Sequence, residues 1–156
     1  MNRLDEVFRQ NKDSKFEVRT TRDDEIVWIV SEEELESRSM CTVFKLHGMD
    51  GESHTNGKWF DCDIGVSWYG DSLKIKDVNA RTERRGYARI LLTYIIQIAR
   101  QKGIKRIYGE LSCVDKHQFD WLIPFYESLG FKTTLYKEPK GCIVGKIEGE
   151  FEFSTL

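Results

Sequence analysis

Val78-Asn-Ala-Arg-Thr-Glu-Arg-Arg-Gly86-Tyr-Ala88-Arg-Ile-Leu-Leu92 is the stretch on which the fold turns. It has the form of a strand end, a short polar turn rich in arginine, and a helix that opens on Gly-Tyr-Ala. The first turn of a helix carries backbone N–H groups with no intrahelical acceptor, and its dipole places partial positive charge there. Glycine at the opening lets a bulky anion approach the backbone closely. Together these features describe a cradle for a phosphate or pyrophosphate. An ordinary solvated Arg-Arg-Gly loop fits the same letters, so the residues beyond the turn have to decide. The dinucleotide fingerprint is missing, since only one glycine is present and the strand before it is polar. No Gly-Lys-Ser or Gly-Lys-Thr occurs, which removes the Walker pattern.

Downstream of Gly86 the periodicity is helical. Ala88, Leu91, Leu92, Ile95, Ile96 and Ala99 recur at steps of three and four, and Arg89, Gln97, Arg100 and Gln101 take the other face. Gly103 supplies a stop. Residues 104–114 read as a strand, so the run is strand, turn, helix, strand, the order of a right-handed crossover in a sheet. A second helix comes next, with Asp115 and Gln118 spaced as a capping box, Trp121, Leu122, Phe125 and Leu129 as its buried face, and Gly130 as its end. Pro124 inside that helix removes a hydrogen bond and is expected to kink it. Its last turn reads Tyr126-Glu-Ser-Leu-Gly130-Phe131.

From about Leu73 to Ile147, roughly half of the chain, this pattern resembles the GNAT superfamily of acyl-CoA N-acyltransferases. In that family a strand ending in valine leads into a Q/R-x-x-G-x-G/A motif that opens a helix. Gly86 and Ala88 match its small positions, and Val78 stands where the family usually has valine. The Leu-Gly-Phe ending with Tyr126 matches the second family motif. Glu83 departs from the usual Gln or Arg, and Asp115, His117 and Gln118 stand where the second motif commonly starts with asparagine.

The resemblance implies an α+β fold: a GNAT-like mixed, mostly antiparallel sheet with a central splayed parallel strand pair, flanked by helices. It implies acetyl-CoA as cosubstrate, lying where the strands ending near Val78 and Val114 diverge. On this reading the backbone at Val78 pairs with the pantetheine arm and donates to the thioester carbonyl, stabilising the oxyanion. Arg84, Arg85, Gly86, Tyr87, Ala88 and Arg89 hold the pyrophosphate. Tyr126 protonates the departing thiolate. The acceptor, a primary amine with an ordinary pKa near 10.4, gives its proton to a carboxylate, directly or through water. Glu110, on the strand beside the gap, is the first candidate for that base and Asp77, next to Val78, the second. Each also has a plain structural reading: solvent-facing strand carboxylates for Glu110 and Asp77, a core aromatic for Tyr126.

Composition bounds the remaining readings. The 156 residues suit one domain, with 1–72 as a variable, acceptor-side half and 73–156 as an acetyl-CoA-binding half. An apolar content of 40% excludes wholesale disorder. A net charge of −2 gives no case for bulk binding to nucleic acid or membrane. No apolar run approaches the roughly 18 residues that span a bilayer, and the charged N-terminal residues do not read as a secretory signal, so a cytoplasmic location is expected. The cysteines, Cys41, Cys62, Cys113 and Cys142, and the three histidines lack metal-site spacing. Cys62 and Cys113 lie in apolar strand patterns and read as buried reduced thiols.

The first half reads mostly as strands, at 16–20, 25–30 and 41–47, with a short helix at 4–10 and one helical turn at 31–34. Residues 60–68 alternate apolar and polar as a half-buried strand, Tyr69-Gly-Asp-Ser72 turns into the strand 73–78, and 132–136 and 142–151 form a hairpin. Family members usually carry two helices after the first strand, so the acceptor is the feature least open to transfer.

The leading expectation is an N-acetyltransferase that works by direct transfer in a ternary complex, with a homodimer among the arrangements the family implies. The alternative is a non-catalytic GNAT-like module that binds acetyl-CoA or a protein, which Glu83, Pro124 and the altered first half favour. Arg81, Arg84, Arg85 and Arg89 on nucleic-acid phosphates are the least favoured reading, given the near-neutral charge.

Overall fold

The computed structural model describes residues 14–20, 24, 26–32, 40–45, 62–80 and 86–151. The expected helix at 4–10 lies outside them, as does the second half of the helical turn expected at 31–34; its first two residues, Ser31 and Glu32, are instead the end of a strand that pairs with Lys15 and Ser14. Eight strands form one sheet: β1 (Ser14–Thr20), β2 (Ile26–Glu32), β3 (Met40–Lys45), β4 (Cys62–Tyr69), β5 (Ser72–Ala80), β6 (Arg106–Ser112), β7 (Lys132–Lys140) and β8 (Ile143–Glu150). Their order is β1-β2-β3-β4-β5-β6-β8-β7. Every neighbouring pair is antiparallel except β5 and β6, which run parallel. The mixed sheet with one central parallel pair is the architecture expected from the sequence.

Helix α1 (Tyr87–Gln101) is the crossover between the parallel strands. Leu91, Leu92, Ile95, Ile96 and Ala99 are buried, as the periodicity requires, and Tyr87 and Tyr94 join them seven residues apart on the same stripe. The helix closes in a Schellman arrangement: Gly103 N–H donates to Arg100 O at 3.1 Å and Ile104 N–H to Ala99 O at 2.9 Å. After β6 the chain winds through a 3₁₀ segment (Cys113–Gln118) into helix α2 (Phe119–Ser128), which ends the same way at Gly130 and Phe131.

One expectation about this region needs correction. Asp115 does not cap the helix: it lies inside the 3₁₀ segment, which Ser112 caps by accepting from Val114 N–H at 3.3 Å, and the α-helix itself starts after Gln118 with no side-chain cap. The tight 3₁₀ turn after Ser112 moves the α-helical start to Phe119. The helix runs through Pro124 to Ser128. Only one interior backbone bond is lost, in a helix packed on its Leu122 and Tyr126 side.

Both helices pack on one face of the sheet. Leu122 and Tyr126 of α2 share a single core with α1 and with Ile64, Val66, Leu73, Ile75, Ile107, Leu111 and Ile147. Arg89 joins the two helices, donating to Ser128 Oγ at 2.6 Å and lying 5.8 Å from the centre of the Phe125 ring. Farther along the sheet, Tyr94 and the buried Ser31 of β2 share a hydrogen bond of 3.0 Å. The opposite face of β6, open among the described residues, carries Arg106, Tyr108, Glu110 and Ser112, none of them buried. Its side chains pair ionically across strands. Lys146, and behind it Arg106, hold the Glu148 carboxylate below its ordinary range through hydrogen bonds and charge.

Candidate active site

The parallel pair is short. Ser72, Leu73, Lys74 and Ile75 face Arg106, Ile107, Tyr108 and Gly109, and there the pairing stops. Both strands continue, β5 to Ala80 against β4 and β6 to Ser112 against β8. Residues 76–80 and 110–112 therefore present strand edges to each other with no ladder between them. The cause is local. Gly65 pairs with Asp77 but Val66 pairs with Ile75, so Lys76 is an extra residue in β5. A bulge bends its strand and increases its twist, which turns β5 away from β6. It also resets the alternation, so that Val78 returns to the helix face and packs against the core. Gly109 sits in the crotch, where a Cβ would stand 3.1 Å from the Ile75 carbonyl oxygen. The missing side chain lets the strands meet closely at the point from which they part.

At the far end of β5 the chain reaches Gly86, with φ 79° and ψ 8°, in the left-handed region that a side chain disfavours. Gly86 makes no side-chain cap and the first turn of α1 holds no acidic residue. Among the described residues, a Cβ placed there would meet nothing within 4 Å. These features suit an anion. Tyr87 is fully buried, so it can offer only its backbone. Arg89 is exposed but already holds Ser128. Glu83, Arg84 and Arg85 lie outside the described residues.

Glu110 is the first β6 residue beyond the last parallel pair. It stands on the open face, 49% exposed, with Lys74 Nζ 3.4 Å from its carboxylate. An exposed pair of this kind is weak and readily exchanged for water or a ligand cation. Asp77 occupies the strand position opposite Gly65, and its side chain lies outside the described residues. Tyr126 is 5% exposed and packs edge-on against Phe131, with ring centroids 5.8 Å apart, and tilted against Phe125 at 5.4 Å. Burial, with the Asp115 carboxylate adding to it, pushes its phenol well above the ordinary value of 10.0. Sequence reasoning missed the Lys74 partner of Glu110 and the Asp115 influence on Tyr126. Lys74 and Glu110 lie on strands far apart in the chain, Asp115 and Tyr126 on consecutive helical segments, and no local motif signals either pair.

The cysteines differ from the expectation. Cys62 is buried and outside any disulfide, but Cys113 is exposed and bonded to Cys142. Cys113 comes after the end of β6, on the 3₁₀ segment, rather than lying inside an apolar strand. Cys142 opens β8's end of the hairpin, so the two face each other across the end of the β6–β8 ladder, with Cys113 N–H donating to Cys142 O at 2.7 Å. A sequence separation of 29 gave no hint of the pairing.

A mixed sheet whose central parallel pair parts beside a glycine-led helix N-terminus is the α+β architecture expected from the sequence. Known proteins agree. Residues 77–131 match the family model described as the acetyltransferase (GNAT) family, which bears out the resemblance read from the motifs. Among solved structures the fold is similar to the GNAT domain of PAT from S. lividans, with a TM-score of 0.62 at 13% identity, covering 87% of this chain and 97% of that one. It is also similar to the ribosomal-protein-S18-alanine N-acetyltransferase from Escherichia coli, with a TM-score of 0.51 at 15% identity, covering 79% and 76%. PaiA N-acetyltransferase from Thermoplasma acidophilum in complex with coenzyme A gives 0.52 at 14% identity, with 72% of this chain and 60% of that chain covered. At such identities the likeness is one of fold. A search of curated proteins gave no significant match. Among the described residues, no helix is long and apolar enough to cross a membrane.

Proposed function

We propose that the protein is an N-acetyltransferase that moves an acetyl group from acetyl-CoA to a primary amine by direct transfer in a ternary complex. The observation that carries this reading is the parting of β5 and β6 after Ile75 and Gly109, with both strands continuing. Their facing edges offer unpaired backbone groups to an extended, amide-bearing chain such as pantetheine, much as a sheet edge accepts an added strand. Acetyl-CoA supplies an activated thioester; the chain supplies binding, orientation and proton transfer. Val78 lies on the β5 edge. Gly86, with the backbone N–H groups of Tyr87, Ala88 and Arg89, receives the pyrophosphate, and Arg84 and Arg85 add positive charge from the turn.

The helices fill one face of the sheet, so the amine approaches from the open face, where Glu110 stands. Glu110 takes the amine proton, directly or through one water. Lys74 must release it or stay alongside as that happens. Tyr126 returns a proton to the thiolate, whose conjugate thiol has a pKa of ~8.5. A phenol raised above its ordinary value still carries that proton at neutral pH.

The test is a thermal shift with acetyl-CoA on the wild type and on Gly86→Glu, each against its own ligand-free baseline. Ligand at a hundred times its dissociation constant adds ~2.7 kcal/mol, or about 5–10 °C for a domain of this size. A shift in the wild type that vanishes in the variant supports the cradle, and no shift in either sinks it. An amine panel read by release of free thiol then separates transfer from binding alone. Coenzyme binding with no thiol release from any amine would leave a non-catalytic binding module.

A further inference from the structure

Past Gly109, β6 has lost its β5 neighbour, so residues 110–112 are held in the sheet from the β8 side only. That single attachment is irregular, because the register slips between Leu111 and Ser112 and leaves Val144 unpaired. It ends at the Cys113–Cys142 disulfide, where both cysteines are exposed and Ser112 Oγ lies 3.6 Å from Cys142 Sγ. From Cys113 the chain continues directly into the 3₁₀ segment and α2, which carries Tyr126. The disulfide thus fastens the loose end of one wall of the gap, and it stands in reach of solvent thiols.

We propose that Cys113–Cys142 is a reversible thiol–disulfide site for small thiols, and that its state fixes or frees the unpaired edge of β6. The exchange runs in two steps with a monothiol such as glutathione. One thiolate attacks a protein sulfur, forms a mixed disulfide and expels the other cysteine as thiolate. A second glutathione thiolate attacks the mixed disulfide, frees the remaining cysteine and leaves as oxidised glutathione. Two electrons pass to the protein, and solvent supplies the two protons. Reduced, the ladder keeps only the Cys113 N–H to Cys142 O bond at its end and frays toward Glu110. Insofar as the acetyltransferase reading holds, coenzyme affinity falls with it, since an edge that must be ordered on binding binds more weakly.

The experiment equilibrates the purified chain in glutathione buffers from reducing to oxidising, then traps thiols and maps them by mass spectrometry. Amide hydrogen exchange and coenzyme A calorimetry are run on the two end states. The expected result is that Cys113 and Cys142 titrate together in the folded protein, that exchange across 110–118 quickens several-fold on reduction, and that coenzyme A affinity drops roughly five-fold or more. A Cys113→Ser/Cys142→Ser variant should match the reduced state in every buffer, and should the variant not fold, the reduced wild type carries the comparison. A pair that stays closed in the folded protein, or exchange that is the same in both states, overturns the proposal. Quickened exchange with unchanged coenzyme affinity overturns its link to the site. If coenzyme A binds in neither state, the acetyltransferase reading falls instead, and hydrogen exchange alone decides the clamp.

Discussion

At the scale of single residues, Gly86, Glu110 and Tyr126 are the positions where the proposed chemistry can be tested, and each separates stability from function differently. At Gly86 a Cβ meets no atom of the described residues, while φ is positive, so its cost is conformational. Gly86→Ala should lose about 1–2 kcal/mol of stability and Gly86→Asn less, read from urea midpoints. Glu110→Gln should leave stability within about 0.5 kcal/mol, because its ion pair with Lys74 is exposed. The same change should slow acetyl transfer by about a hundred-fold or more if Glu110 is the base. Tyr126 titrates with a sign that can be worked out. Its folded pKa is raised, so the folded state keeps the proton longer than the unfolded one. That contribution is complete below the ordinary value of 10.0 and is lost as pH rises beyond it. Denaturation at pH 9, 10 and 11 should show a steeper alkaline loss in the wild type than in Tyr126→Phe, which keeps the ring contacts with Phe125 and Phe131. The catalytic candidates were legible in the sequence as residue types on the right elements. Their neighbours were not, because Lys74 and Glu110 lie on strands joined through a whole helical crossover.

Among the elements, those with strong local periodicity were readable and those shaped by tertiary contact were not. The stripe of α1 and the alternation of β4 arise from helical and strand periods, and both elements form where that reading put them. The bulge at Lys76 shows in the sequence only as the broken alternation of Leu73, Ile75 and Val78, which cannot be told from a strand end without the partner strand. The 3₁₀ start before α2 was hidden because Asp115 and Gln118 mimic a capping box, while Ser112 caps the 3₁₀ segment and α2 has no side-chain cap. The β7–β8 ladder also rests on a glycine. A Cβ at Gly145 would run into the Thr134 carbonyl of the neighbouring strand, a backbone atom that cannot turn aside. Gly145→Ala should cost about 1–3 kcal/mol and should quicken amide exchange on β7 before β4, a pattern that mass-spectrometric exchange resolves.

Across the whole molecule, one cross-link joins segments separated by 29 residues. In the chain-entropy account, closing a loop of that size stabilises by roughly 3–4 kcal/mol. Urea unfolding with and without reductant should show a loss of that order, and a loss under about 1 kcal/mol would mean that the reduced chain is already constrained there. The sheet order has a further consequence, for synthesis. β8 comes after β7 in the chain yet lies between β6 and β7. While the polypeptide is emerging, β6 has no neighbour on that side and β7 has nowhere to dock. The second half of the sheet can close only after residues up to Glu150 have left the ribosome, and until then the nascent chain presents an open strand edge to whatever chaperone or sister chain is nearby.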